Sequence, residues 1–362
     1  FGSSGDYTSA FGNNFDGYTV IKDSQEYALS FGGELTDETL QQIVSDYQQM
    51  EADGMEEELE KTDWQIVNSW LGTLYPELRD TSNYKTMISY VDPDKLTGFY
   101  ERRQQVLDEF LEVSGQVGAE KEFLHQIERK VEKPFHYEWV EGWSTLLGSM
   151  VADLGVVMAL FLGIVLSSLF AGEWHDNTST LVLTTRNGWG KIALAKILTG
   201  LAFTVELFAL LAVSSVISQL FFMGTAGWDM PIQNIKLIAV APMNMLQAEI
   251  YEYAFVLLGA IGFAGIVMFI SAAVKNNVLT LLLSLAVVYG PMMIAEYLPY
   301  EMQKALDLIP LVGSSTDIFR TNTFRIFGKL IWSPYLLITI PVLIGILCMP
   351  FAIKSWSRRM KA

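Results

Sequence analysis

The sequence has one cysteine and three histidines in 362 residues. The cysteine, Cys348, lies in an apolar run near the C-terminus, and a single thiol excludes a disulfide within the chain. The histidines, His125, His136 and His175, are scattered and lack the short spacings that metal sites use. We therefore predict neither a disulfide-stapled domain nor a metal site.

The sequence motifs of common enzymes are also missing. The Gly-Lys pairs at 190–191 and 328–329 lack the upstream glycine and the following serine or threonine of a phosphate-binding loop. No H-E-x-x-H, C-x-x-C or G-x-S-x-G motif occurs. We predict no catalytic residues, no cofactor bound by this chain, and no enzymatic activity.

Charged residues are scarce and unevenly distributed. They make up 18% of the chain, against about 25% in soluble domains. Residues 1–143 hold 11 Lys/Arg and 29 Asp/Glu, a net charge of −18, whereas residues 144–362 hold 13 and 11, a net charge of +2. An acidic soluble part joined to an apolar part excludes a single globular enzyme. It also excludes a general nucleic-acid binder, which needs a basic face.

Five long runs contain no Asp, Glu, Lys or Arg, namely 154–172, 207–228, 253–274, 276–295 and 330–353. A helix needs about 20 mostly apolar residues to cross a bilayer, whereas barrel strands alternate polar and apolar residues. Five buried core helices would need a larger core than such a domain has. We predict an all-α polytopic membrane protein, with domains 1–143 and 144–362 and spans near 146–171, 198–223, 252–273, 277–298 and 331–353.

A basic cluster after the last run indicates the orientation; it consists of Lys354, Arg358, Arg359 and Lys361. Because Lys and Arg favour cytoplasmic loops, we place the C-terminus inside and, counting back over five spans, residues 1–143 outside. Four basic residues within 296–329 oppose this assignment. The predicted location is the cytoplasmic membrane, and an exported segment without cysteine is typical of a Gram-positive bacterium.

An outside segment ahead of the first run has to be exported. We therefore expect a sixth span before residue 1 in the intact chain; the alternative is a cleaved signal sequence. The extracytoplasmic domain is predicted to be mainly helical. Thr36 and Asp37 are possible N-caps of its first helix, a second helix runs from a Thr97 cap to Val113, and another covers 119–132. Its acidic surface is either a solvated face or a surface for a basic peptide or a cation.

An aromatic segment directly precedes the first run and contains Phe135, Tyr137, Trp139 and Trp143. Amphipathic rings favour the headgroup layer of a bilayer, so we predict an interfacial anchor. A ligand-stacking site is the alternative.

The spans contain two carboxylates, Asp153 and Glu206. A charge at depth normally faces protein or water, so both are candidates for a translocation path. Alternatively, Glu206 is protonated and bonded to a neighbouring helix, and Asp153 reaches the headgroups. Small residues recur every four positions along the first span and predict a helix-packing seam: Gly155, Ala159, Gly163 and Ser167.

The segment 170–196, FAGEWHDNTSTLVLTTRNGWGKIALAK, joins two spans. An acidic residue follows the end of the first span, and a short Thr- and Leu-rich amphipathic piece comes next. A turn at 187–188 and basic residues lead into the second span. We predict a short interfacial helix that a soluble partner can push, transmitting force to both spans; the alternative is a plain linker.

This segment resembles the coupling region of ABC-2 type transporter permease subunits, which has the form E…(G/T)-T-L-x-L-L-x-(T/S)-x-x-x-R-x-x-x-x-x-K. The matching positions are Glu173, Thr178, Thr180, Leu181, Leu183, Thr184, Arg186 or Lys191, and Lys196. Asn177 stands where the family has a glycine before the Thr-Leu run. The resemblance covers 144–362.

The resemblance implies an exporter whose coupling helix docks on a separate ABC ATPase subunit, which binds ATP. The expected partners are that ATPase, the lipid bilayer and a second permease chain, in a homo- or heterodimer around a shared path. No nucleic acid is expected. The alternative function is a membrane-anchored extracytoplasmic sensor or immunity protein that transports nothing.

Overall fold

The structure is a computed structural model that describes residues 6–8, 14–16, 21–26, 32–55, 59, 64–80, 85–176, 178–184, 190–312 and 322–358. These residues are mostly helical. Besides a helical segment over 21–26, the helices are α1 (Asp37–Ala52), α2 (Gln65–Leu74), α3 (Phe99–Val113), α4 (Ala119–Glu128), α5 (Glu141–His175, with a π-helical turn at Leu146–Met150), α6 (Ser179–Thr184), α7 (Lys191–Met223), α8 (Met245–Ala273), α9 (Asn277–Ile294), α10 (Tyr300–Leu306) and α11 (Ser333–Arg358).

Three antiparallel strand pairs accompany the helices: β1 (Asp6–Thr8) with β2 (Asn14–Asp16), β3 (Gly33–Leu35) with β4 (Phe135–Tyr137), and β5 (Thr323–Ile326) with β6 (Lys329–Trp332). The chain forms two compact units. Unit 1 comprises Phe1–Thr145 and Ser218–Ala248, and unit 2 comprises Leu146–Ile217 and Glu249–Ala362.

Side chains cap the starts of α1 and α3 in unit 1. Thr36 caps α1, because its hydroxyl accepts the backbone N–H of Thr39 at 3.2 Å, as predicted. The predicted Thr97 cap of α3 is wrong. The carboxylate of Asp37 instead accepts the N–H groups of Gly98 and Phe99 at 2.6 and 2.8 Å. This cap joins the starts of α1 and α3, so local spacing did not reveal it.

The β3–β4 pair is attached to α3 through one hydroxyl. Tyr100 donates to the carbonyl of Leu35 at 2.7 Å and accepts the N–H of Phe135 at 2.6 Å. Leu35 and Phe135 pair in the register of the two strands, and both are fully buried. The first and last parts of the 32–137 region are therefore joined at the core. Helix α4 ends at Glu128, four residues before the predicted end.

The aromatic segment is buried, which overturns its prediction as an interfacial anchor. Phe135, Tyr137, Trp139 and Trp143 are at most 5% exposed. The indole of Trp139 donates to the Met223 carbonyl at 3.1 Å, and that of Trp143 donates to the backbone of residue 226 at 2.9 Å. The polar edges of both rings are satisfied by protein, so the segment belongs to the core of unit 1.

The connection between α7 and α8 packs into unit 1. The indole of Trp70 donates to the Asn234 carbonyl at 2.9 Å, and the amide of Asn234 donates to the His136 carbonyl at 2.8 Å. Arg103 donates to the carbonyls of Leu237 and Ala239 at 2.7 and 3.1 Å. The backbone carbonyls of this connection therefore satisfy buried donors from the 65–136 part of the same unit.

Arg103 forms a buried ion pair with Glu128. The guanidinium lies 2.5 Å from the carboxylate, their side chains are 0% and 3% exposed, and Lys133 approaches the same carboxylate at 2.8 Å. Burial favours the neutral acid, but hydrogen bonds from Lys133 and Arg103 outweigh that effect. The pKa of Glu128 therefore lies below its ordinary value of 4.5.

Within the part of the chain that the structure describes, five helices are long and apolar enough to cross a membrane: α5, α7, α8, α9 and α11. This confirms the predicted mainly helical fold and, for those residues, the predicted number of long apolar helices. Several extend past the predicted spans, and α8 begins at Met245 rather than near 252. The extension follows from the backbone, because a helix continues past the last apolar residue wherever its hydrogen bonds and caps are satisfied.

Within unit 2, α8 and α11 cross with their backbones in contact. A Cβ at Gly262 would lie 2.3 Å from the Pro341 carbonyl, and one at Gly265 would lie 2.4 Å from the Gly345 carbonyl. Such an approach requires residues without a side chain at the crossing.

Candidate functional site

Among the described residues of the predicted coupling region, Glu173, Thr178 and Lys196 form a hydrogen-bonded group that we call the lock. The carboxylate of Glu173, near the end of α5, accepts the hydroxyl of Thr178 at 2.7 Å and lies 2.8 Å from the ammonium of Lys196 on α7. The backbone N–H of Thr178 also donates to the Glu173 carbonyl at 3.0 Å. Glu173, Thr178 and Lys196 therefore connect the end of α5, the start of the α6 segment and the first turns of α7.

The ammonium of Lys196 sits among aromatic rings. It donates to the Leu169 carbonyl and lies 5.5 and 5.7 Å from the ring centres of Phe170 and Trp356. The lysine side chain is 17% exposed and that of Glu173 is 21% exposed. Partial burial and ring quadrupoles strengthen a charge pair relative to one in water.

We call the side chains of Phe170, Trp174, Lys196, Lys275 and Trp356 the terminal cluster. Lys275, two residues beyond the end of α8, lies 4.2 Å from the centre of the Trp174 ring, and Trp174 packs against Trp356 with ring centres 6.1 Å apart. The cluster therefore joins the ends of α5, α7, α8 and α11. Sequence reasoning missed Trp174, Trp356 and Lys275, although each lies at the end of an apolar run.

A serine hydroxyl attaches α5 to α8 next to this cluster. Ser271 is fully buried, accepts the backbone N–H groups of Phe170 and Ala171 at 3.0 and 3.1 Å, and donates to the Ser167 carbonyl at 2.7 Å. Displacement of the end of α5 would therefore break three hydrogen bonds to α8.

The other predicted coupling residues are exposed or lie outside the described residues. Thr184 and Lys191 are exposed, and Leu181 is 70% exposed on α6. Thr180 lies in α6, but its side chain is outside the described part of the chain, as is all of Arg186. The structure therefore brings together three of the nine residues named for the resemblance, Glu173, Thr178 and Lys196.

The two predicted path carboxylates do not meet. Asp153 lies on α5 and Glu206 on α7, and both side chains are exposed on unit 2. Neither makes a hydrogen bond or an ion pair with another described residue. Each therefore lies on a helix surface that no described part of the chain covers.

Two other carboxylates in the spans are buried. Glu249 and Glu252, three residues apart near the start of α8, are 4% and 0% exposed, and this spacing places them on one helix face. Tyr253 interacts electrostatically with Glu249, and its hydroxyl is bonded to Ser215 of α7 at 2.8 Å. The prediction missed both acids because the charge-free run begins only at residue 253.

Three of the four small residues in the predicted packing seam face the interior of unit 2. Ala159 and Ser167 are buried, and a Cβ at Gly163 would lie 3.2 and 3.3 Å from Leu281 and Leu285 of α9. A Cβ at the fourth residue, Gly155, would meet no atom within 4 Å.

Comparison of the chain with protein-family models, with curated proteins and with solved structures finds no match.

Proposed function

We propose that this chain is the permease subunit of an ATP-driven exporter of the ABC-2 type and that a separate ABC ATPase subunit supplies the energy. The observation that carries the proposal is the lock formed by Glu173, Thr178 and Lys196. It connects the short helix α6 to two membrane-length helices, so a push on α6 reaches both.

The terminal cluster supports the same role. Lys196 contacts Trp356 of α11, and the hydroxyl of Ser271 ties α5 to α8. A displacement at the lock therefore spreads to four helices, because packed helices shift as units. Leu181, largely exposed on α6, supplies an apolar contact for the partner.

A second copy of the permease would cover α7. This helix buries one stripe, including Ile197 and Thr204, and exposes apolar residues such as Leu210 and Val213 beside Glu206. A carboxylate facing lipid costs about 2.5–3.5 kcal/mol on insertion scales. Pairing along α7 would remove that cost and create a path between two chains.

The proposed setting follows the charge distribution. The 173–196 end of the helices lies in the cytoplasm, and the acidic 1–143 region lies outside. The membrane is the cytoplasmic membrane of a Gram-positive bacterium.

Charge reversal at the lock tests the proposal. The chain is expressed with its neighbouring genes, and membranes are solubilised for copurification. Glu173→Lys should abolish both copurification of an ABC ATPase and stimulation of its activity, and Glu173→Lys combined with Lys196→Glu should restore both. Asp176→Asn changes an exposed acid three residues away and should have no effect.

Retained ATPase binding in Glu173→Lys would contradict the assignment of the lock. Copurification of a kinase or a regulator in place of an ATPase would contradict export and support the sensor function.

A further inference from the structure

Glu249 is a buried acid without a cationic partner. It lies near the start of α8, inside a membrane-length helix of unit 2, and is 4% exposed. Neither of its carboxyl oxygens makes a hydrogen bond with another described residue. Within the described chain, no lysine, arginine or histidine pairs with it. Because an unpaired carboxylate costs far more to bury than the neutral acid does, this position favours the protonated carboxyl.

A chain of hydroxyl groups leads from this carboxyl to α7. Tyr253, one helical turn after Glu249, interacts electrostatically with it, and the Tyr253 hydroxyl lies 2.8 Å from that of Ser215. The Ser215 hydroxyl also donates to the carbonyl of Ala212 at 2.9 Å. A serine hydroxyl carries one hydrogen, so both bonds form only if Tyr253 donates to Ser215.

This direction of the hydrogen bonds indicates the protonation state of Glu249. With its hydrogen directed at Ser215, the oxygen of Tyr253 offers only lone pairs to the carboxyl. Lone pairs suit a protonated carboxyl, which can donate to them, and they repel a carboxylate. The geometry of the hydroxyl chain and the burial of Glu249 therefore favour the same form.

The hydroxyl chain ends at a less buried position than Glu249. Tyr253 and Ser215 are both partly exposed. A proton moves between hydrogen-bonded oxygens, so it reaches a buried acid without an opening wide enough for a ligand, and carboxyl groups within spans take part in proton relays. The three side chains therefore connect a buried acid to the surface of unit 2.

The other titratable groups of this region belong to a different set of contacts. Glu252, which is 0% exposed, interacts with Tyr251. Tyr251 donates to a backbone carbonyl of α11 at 2.5 Å and interacts with Tyr335 of the same helix. Glu206, the acid of α7, is exposed. This second set joins α8 to α11, whereas Tyr253 joins α8 to α7.

We propose that Glu249 is a proton-binding site that exchanges its proton with water through Tyr253 and Ser215. In a concerted transfer, Glu249 gives its carboxyl proton to the oxygen of Tyr253, and Tyr253 gives its hydroxyl proton to the oxygen of Ser215. Ser215 turns from the Ala212 carbonyl and gives its own proton to water. The products are a carboxylate and a hydronium ion, both hydroxyls keep one proton, and the reverse transfer reloads Glu249. This site goes beyond the proposed export function and does not depend on it.

Infrared spectroscopy of the full chain in nanodiscs at neutral pH tests the protonation, because protonated carboxyls and carboxylates absorb in separate regions. The spectrum of the wild type minus that of Glu249→Gln should contain a protonated-carboxyl band. Glu249→Asp should shift this band and keep it, which assigns the band even if Glu249→Gln does not fold. Glu109→Gln changes an exposed acid of α3 and should leave this region of the spectrum unchanged.

Transfer into D₂O tests the relay, because the band shifts as the carboxyl proton is replaced by deuterium. Tyr253→Phe should slow this exchange about a hundredfold, since a positioned acid–base group speeds proton transfer by about 10²–10⁴, and Ser215→Ala should also slow it. The matched control is Tyr251→Phe, which removes a hydroxyl of α8 that bonds to α11, and it should leave the rate unchanged.

Two results would overturn the proposal. One is a protonated-carboxyl region that neither Glu249→Gln nor Glu249→Asp alters. The other is an exchange rate in Tyr253→Phe equal to that in Tyr251→Phe.

Discussion

The buried ion pair in unit 1 gives the sharpest stability prediction. In Glu128→Gln, Arg103 keeps its hydrogen bonds to the carbonyls of Leu237 and Ala239 but loses the ion pair with the carboxylate. Its charged guanidinium stays fully buried. Removing one partner of a buried pair costs about 3–5 kcal/mol. The two remaining acceptors place the expected loss near the lower end of that range, about 3 kcal/mol. This corresponds to a change of more than a hundredfold in the ratio of folded to unfolded unit 1.

Removing both charges should cost less than removing one. In the double variant Arg103→Met with Glu128→Leu, no charge stays buried at the pair. The Ala239 carbonyl still accepts a hydrogen bond from Nε2 of Gln233 at 3.0 Å. Of the two carbonyls that Arg103 contacts, that of Leu237 therefore loses its donor. A buried unsatisfied carbonyl costs about 1–3 kcal/mol. The double variant should therefore be at least as stable as Glu128→Gln.

Pulse proteolysis in urea, with the chain in detergent, measures the unfolding of unit 1. The matched control is the neighbouring arginine, because Arg102 pairs with Glu77 at an exposed position where the side chains are 30% and 50% accessible. Glu77→Gln should cost at most about 1 kcal/mol. The reasoning is refuted if Glu128→Gln costs no more than Glu77→Gln.

Three further predictions concern pH, a helix crossing and the lock. Because the pKa of Glu128 is lower in the folded than in the unfolded state, the stability that its carboxylate contributes is complete above about pH 4.5 and is lost as the pH falls through the folded-state pKa. Urea midpoints measured against pH should show this loss, and Glu128→Gln should abolish it. Gly262→Ala should reduce the folded yield in detergent, because the new Cβ would lie 2.3 Å from the Pro341 carbonyl oxygen. Gly290→Ala, where a Cβ would meet no atom within 4 Å, should not reduce it. Equal yields of the two variants would contradict the close crossing of α8 and α11. Lys196→Met should speed proteolysis within 177–190 about tenfold, and Lys191→Met, at an exposed position, should not; no difference between them would mean that the lock does not hold α6.

The parts of the fold that were predictable depend on local composition. A run of about 20 residues without charge is sufficient to identify a membrane-length helix, because the cost of a buried charge acts on each residue separately. The Thr36 cap was predictable for the same reason, since its donor lies three residues away.

The unpredicted features depend on contacts distant in sequence. Asp37 caps a helix that starts 62 residues later, and carbonyls beyond residue 230 satisfy Trp70 and Arg103. The aromatic segment before the first span was misassigned because rings suited to the headgroup layer are equally suited to a protein core. In the candidate site, the Glu173–Lys196 pair was predictable from helix ends close in sequence, whereas its contact with Trp356 was not.

The central claim is that the 173–196 end of the helices faces the cytosol, where an ATPase can reach it. Cys348 is the single native thiol, so labelling with a membrane-impermeant maleimide is simple in a Cys348→Ser background. Leu181→Cys tests this end, and Val113→Cys, at a residue that is 89% exposed in unit 1, reports the opposite side. The account predicts that intact cells label Val113→Cys and leave Leu181→Cys unlabelled until they are permeabilised. Labelling of Leu181→Cys in intact cells would contradict it.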